Sequence, residues 1–112
     1  MNVRRRSIRQ ENEAAKKYGG RRRPASGALP GLGGDLTAYG KKLLVECKLT
    51  EKGSYSISAE AIDKHEKHAT LEGRDWFWLI SFISPLRRRP REIVILDGEF
   101  FRELMESHGN HV

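Results

Sequence analysis

The eight residues Leu43-Leu44-Val45-Glu46-Cys47-Lys48-Leu49-Thr50 constrain the fold most. The run is too apolar for a loop and too short for a core helix, so it reads as a strand. Side chains alternate along a strand, so Leu43, Val45, Cys47 and Leu49 share one uniformly apolar face that belongs to a core. Leu44, Glu46 and Lys48 share the other. Placing an acid and an amine in an otherwise apolar strand costs stability unless something compensates them. Asp35 stands eleven residues before Glu46, and the stretch between them reads as a strand, a tight turn and the second strand. Asp35, Glu46 and Lys48 therefore meet at one edge of a hairpin. Such a group can hold a divalent cation and orient a water beside it. The plainer alternative is an ion pair between Glu46 and Lys48, and a Glu-x-Lys triplet alone occurs in many proteins.

Around this hairpin the pattern alternates between helix and strand. Residues 1–7 read as a loose basic arm, and residues 8–112 as a single domain. Ser7 with Gln10 three residues on has a capping-box pattern, predicting a helix from Ser7 to about Tyr18 that Gly19-Gly20 stops. A short extended segment at residues 21–25 and a turn-rich stretch at 25–34 follow. That stretch has no GxGxxG or Walker spacing, which excludes the common nucleotide-binding loops. After the Leu43 strand come a short strand at Tyr55-Ser56-Ile57, a helix capped by Ser58 and running to about Glu72, and a buried strand from Trp76 to Ile83. A basic turn, Pro85-Leu86-Arg87-Arg88-Arg89-Pro90, leads to a strand over residues 92–96. Asp97 caps a last helix to about Ser107. The order predicts an α/β fold, a mixed central sheet flanked by helices.

Charge narrows the partner. The chain of 112 residues has a net charge of +6. Residues 1–23 hold nine Lys or Arg against Glu11 and Glu13, so this segment is +7 and the rest −1. Segregated basicity beside a metal-type motif points to a nucleic-acid backbone, against the alternative of a solubilising tail. Cys47 is the only cysteine, which excludes an internal disulfide and a cysteine-based zinc site. His65 and His68 stand three apart without an evident third ligand and read as one partly buried and one exposed histidine. The alternating Trp76, Phe77 and Trp78 read as core. No secretory signal is visible, and the longest apolar run is too short to span a bilayer, so a cytoplasmic protein is expected.

These motifs together resemble the PD-(D/E)xK nuclease superfamily, and within it the Holliday junction resolvases of archaea and bacterial viruses. The residues that carry the likeness are Gly34-Asp35, then Glu46-Cys47-Lys48 after Leu43-Leu44-Val45. An acid in the first helix (Arg9-Gln10-Glu11), the segment Pro24-Ala25-Ser26-Gly27, and Ile93-Val94-Ile95-Leu96-Asp97 with Phe101 agree with it. The resemblance covers roughly residues 7–105. It implies a restriction-endonuclease-like fold and a homodimer that resolves four-way junctions by paired symmetric nicks. It implies Glu11, Asp35 and Glu46 as ligands of Mg²⁺, with Mn²⁺ as a substitute, and these three with Lys48 as the catalytic set. Arg4, Arg5, Arg6, Arg9, Arg21, Arg22, Arg23 and Ser26 would contact DNA. Glu13 is the alternative to Glu11; the two lie about 200° apart on a helix, so only one can face the site. One departure is that the superfamily's Pro-Asp is Gly34-Asp35 here. Other branched, nicked or linear DNA substrates fit the same motif, and a basic DNA-binding protein without catalysis is the reading from another class.

Overall fold

The computed structural model describes residues 3–23 and 34–109. The elements are α1 (Val3–Lys17), β1 (Arg21–Arg22), β2 (Leu36–Ala38), β3 (Leu43–Thr50), α2 (Ala59–Leu71), β4 (Asp75–Phe82), β5 (Arg91–Ile95) and α3 (Gly98–Gly109). The five strands form one sheet in sequence order. β3 and β4 run parallel, and the remaining neighbours are antiparallel. The single parallel pair needs a crossover, which α2 supplies. The result is a restriction-endonuclease-like α/β architecture, a mixed sheet with helices on its faces.

Each sheet face has its own core. Ala14 of α1 packs with Leu36, Ala38, Val45, Cys47, Phe77 and Leu79 on one face. Ala69 of α2 packs with Leu44, Trp76 and Trp78 on the other, with Ile57, Ala61 and Ile62 around them. Burial of β3 is thus two-sided: Leu44, on the face that carries Glu46 and Lys48, is fully buried. Two-sided burial of this kind is what a parallel pair with a helical crossover imposes. Full burial of each such Leu or Val contributes about 1.5–3 kcal/mol. The tryptophans and Phe77 are core, as their alternation predicted.

Three features differ from the sequence reading. α1 starts at Val3, so helix takes up most of the expected arm of residues 1–7, and Ser7 lies inside it rather than capping it. Gln10 is not part of a capping box: its amide donates to the Lys48 carbonyl at 2.9 Å and to Ser81 Oγ at 2.8 Å, fastening α1 across β3 and β4. Tyr55-Ser56-Ile57 forms no strand; it leads into α2, and Ile57 packs into the α2-side core. The caps at Ser58 and Asp97 are present, Ser58 Oγ accepting from the Ala61 amide and Asp97 Oδ2 from the Glu99 and Phe100 amides.

Glycine matters at two places. At the end of α1, Gly19 adopts φ +62°, and a Cβ on Gly20 would stand 1.6 Å from the Thr37 carbonyl oxygen. Only glycine lets β1 reach β2 there. Gly34 adopts φ +79° against the Leu44 side chain. Proline is locked near φ −65° and cannot take this conformation, so the residue before Asp35 has to be one that tolerates a positive φ.

Candidate active site

β2 and β3 set the acids side by side. The Asp35 amide donates to the Val45 carbonyl at 2.8 Å, and the Asp35 carbonyl accepts from the Arg23 amide at 2.8 Å. Asp35 Oδ2 accepts from the Cys47 amide at 2.7 Å. One carboxylate oxygen is thereby fixed to the strand that carries Glu46. Glu46 points to the α2 side of the sheet, where burial is the main reason its pKa is pushed up, to about 8. A hydrogen bond to Asp35 and the Asp35 charge raise it further, and Lys48 pulls the other way. Two carboxylates this close and partly desolvated hold either a shared proton or a cation between them.

Glu11 faces the same neighbourhood from α1. It is half-buried and accepts from Arg22 Nε at 2.9 Å. Burial raises its pKa, Arg22 opposes this, and the Asp35 charge adds to the rise. Glu13 is exposed and pairs with Arg9 one turn away at 3.0 Å, so of the two candidates Glu11 is the one turned towards Asp35. The Lys48 ammonium lies 5.9 Å from the centre of the Trp78 ring, over its face, on the strand face it shares with Glu46. This is within cation–π range.

His65 is a component that sequence reasoning undervalued. It is 2% exposed, not partly buried. Its Nε2 lies 3.1 Å from the Leu44 carbonyl and 3.2 Å from that of Phe77. Carbonyls only accept, so Nε2 carries the proton and Nδ1 presents a lone pair. Nδ1 is buried without a hydrogen-bond partner and faces Glu46 Oε2 at 4.0 Å. Burial holds the ring neutral by lowering its pKa. The signal was its place on the apolar stripe of α2 with Ala61, Ile62 and Ala69.

The arginines expected on DNA divide into groups. Arg22 is held by Glu11, and Arg23 makes a two-pronged pair with Glu72 at 2.7 and 2.9 Å, which Arg74 also joins. These partners keep Glu72 below the usual carboxylate range. Arg6 pairs with Glu51 and Arg9 with Glu13, while Arg5 and Arg21 are exposed. Arg4 falls in the first turn of α1. Ser26, with the whole Pro24-Ala25-Ser26-Gly27 motif, lies outside the described residues. Among the described residues no three or more His, Cys, Asp or Glu side chains are grouped as a metal site. Asp35 and Glu46 do fit Mg²⁺, which needs one or two carboxylates and keeps its remaining positions for water and phosphate oxygens. Glu11, drawn to Arg22, does not complete a third ligand in this arrangement.

The fold has a solved counterpart. The chain is similar to Hjc of Archaeoglobus fulgidus, a Holliday junction resolvase from an archaeal hyperthermophile, with a TM-score of 0.61 at 18% identity over 79% of this chain and 73% of that one. At that identity the likeness establishes the shared restriction-endonuclease-like fold. No family model matches the chain, and no curated protein matches it.

Proposed function

We propose that the protein is a metal-dependent endonuclease that cleaves branched DNA, with the four-way Holliday junction as its substrate. The observation that carries this reading is the desolvated Asp35–Glu46 pair beside Lys48 on a sheet of this fold. Asp35 and Glu46 would hold Mg²⁺ or Mn²⁺, with Glu11 as the third acid once it parts from Arg22. When bound, the metal supplies a water of lowered pKa and offsets charge on the phosphate. Lys48 orients the attacking water and balances phosphate charge, and the Trp78 face restricts where its ammonium lies. The Cys47 amide keeps Asp35 in register with Glu46. The likeness to a resolvase supports the junction as substrate.

A four-way junction needs two symmetric cuts, so the enzyme would act as a homodimer. The exposed apolar side chains available to a second copy are Ile93 and Val94 on the edge strand β5 and Phe101, Leu104 and Met105 on α3. Among the described residues α3 packs closely against no other helix or strand. No described helix is long and apolar enough to cross a membrane. An enzyme of this kind would work where DNA recombines, in the cytoplasm of a bacterium or a phage-infected cell.

The test is cleavage of a synthetic four-way junction, a flap and a linear duplex in Mg²⁺ by the wild type and by Asp35→Asn. Junction cleavage by the wild type is expected, with loss of at least about a hundredfold in Asp35→Asn and junction binding kept within a few-fold. Undiminished cutting by the variant would sink the site assignment. Equal cutting of the linear duplex would remove the junction preference.

A further inference from the structure

Charge compensation is uneven over the described surface. Arg6, Arg9, Arg22, Arg23, Arg74 and Arg102 each face a carboxylate. Arg87, Arg88, Arg89 and Arg91, at the tip joining β4 to β5, face none among the described residues. Four guanidinium groups within five residues repel one another, an arrangement that favours an anionic partner.

The tip is nonetheless built. At its base the Ile83 amide donates to the Thr50 carbonyl of β3 at 2.9 Å. The Arg87 amide closes a turn onto the Ser84 carbonyl at 3.0 Å, and the Leu86 amide donates to Ser84 Oγ at 3.2 Å. Pro85 and Pro90 fix φ on either side of the arginines. Residues 85–91 are all exposed, and Leu86 reaches 96%. Pro85 and Pro90 also border a groove of about 710 Å³, where Arg6 and Arg9 of α1 are matched by Glu51 and Glu13. The uncompensated positive charge thus sits on the tip itself, at the end of the sheet towards which β3 and β4 run. Glu46 pairs with Trp78, and Phe82 lies four residues further along β4. At about 3.3 Å per residue the base of the tip stands roughly 13 Å beyond the acids, within the width of one duplex.

We propose that this hairpin tip is a second DNA-contacting element, its arginines gripping the phosphates of a duplex arm while Leu86 packs against bases unstacked at a branch point. The proposal rests on the DNA-cleaving reading for its substrate, but not on the acids at the sheet edge. Guanidinium forks match phosphate oxygens in pairs. Apolar wedges of leucine type enter DNA where stacking is already interrupted. A branch point offers such a step and a continuous duplex does not.

The test is equilibrium binding of a four-way junction and a linear duplex of the same arm sequence, without divalent metal, over a range of salt. Three proteins are compared with the wild type: Arg87→Ala/Arg88→Ala/Arg89→Ala, Leu86→Ala, and Lys41→Ala/Lys64→Ala/Lys67→Ala, which removes equal charge elsewhere. The arginine variant is expected to lose at least about tenfold on both DNAs, with the slope of log affinity against log salt reduced by about three. The lysine variant should change less than about threefold. Leu86→Ala should weaken the junction at least about threefold and leave the duplex unchanged. All seven residues are exposed, so folding is not at stake. An arginine variant that behaves like the lysine variant would overturn the grip. Equal effects of Leu86→Ala on both DNAs would overturn the branch-point contact. Wild-type binding to phosphatidylserine vesicles but not to DNA would make the tip a lipid-binding element instead. A protein that binds through the tip yet never cuts would refute the nuclease reading alone, because cleavage is scored separately.

Discussion

Replacing Glu46 with Gln should make the metal-free protein more stable at alkaline pH. The Glu46 carboxyl goes from a pKa of 4.5 in an open chain to about 8 in the fold, chiefly through burial and then through Asp35. The folded state therefore keeps a proton that the unfolded chain gives up. This contribution is fully present below pH 4.5 and is lost as pH rises towards and through 8. At about 1.4 kcal/mol per pH unit the ceiling is about 5 kcal/mol. Because Asp35 shares the proton, about 2–3 kcal/mol is expected. Glutamine has the shape of the protonated acid and no charge to lose, so Glu46→Gln should match the wild type near pH 5 and exceed it by about 10 °C in Tm at pH 9. The assay is thermal unfolding in EDTA from pH 5 to 9, read as the difference between the two proteins. His65 acts in the opposite sense: its lowered pKa gives a contribution present above pH 6.5 and lost as pH falls, so the pH 7–9 part of the comparison isolates Glu46. Mg²⁺ at a hundred times its Kd should restore about 2.7 kcal/mol to the wild type at pH 9 and much less to Glu46→Gln. A difference between the proteins that stays flat from pH 5 to 9 would refute the shared-proton pair.

Gly34→Pro should destabilise the fold by about 3 kcal/mol or more, because proline cannot take φ +79°; urea unfolding reads this directly. Gln10→Ala should cost about 1–3 kcal/mol by leaving the Lys48 carbonyl and Ser81 hydroxyl without their shared donor, again by urea unfolding. His65→Phe keeps the ring but removes the proton given to the Leu44 and Phe77 carbonyls, and should cost about 2 kcal/mol in the same assay. Phe101→Glu on α3 should leave the monomer fold intact and abolish self-association in sedimentation equilibrium, since its side chain is half-exposed.

What could be read from the chain followed from local physics. Alternation in β3 and the apolar run of β4 located the two central strands, and the Ser58 and Asp97 caps marked two helix starts. The same alternation gave Asp35, Glu46 and Lys48 a common edge. Contacts between distant segments were not legible. Nothing local to Gln10 shows that its amide reaches Lys48 and Ser81, 38 and 71 residues away. Nothing local to Glu11 shows Arg22 bound to it, which is why three acids in the sequence appear as a close pair and a tethered third. Nor can one strand show that a crossover helix will cover the face of Leu44, Glu46 and Lys48. The left-handed backbone at Gly34 was visible only as a departure from a family pattern.

Mapping the cuts on a synthetic four-way junction bears most directly on the central claim. With Mg²⁺, two nicks related by symmetry on opposing strands are expected, absent in EDTA and lost together in Asp35→Asn and Glu46→Gln. Cuts that persist in either variant, or no metal-dependent product on any branched DNA, would contradict it.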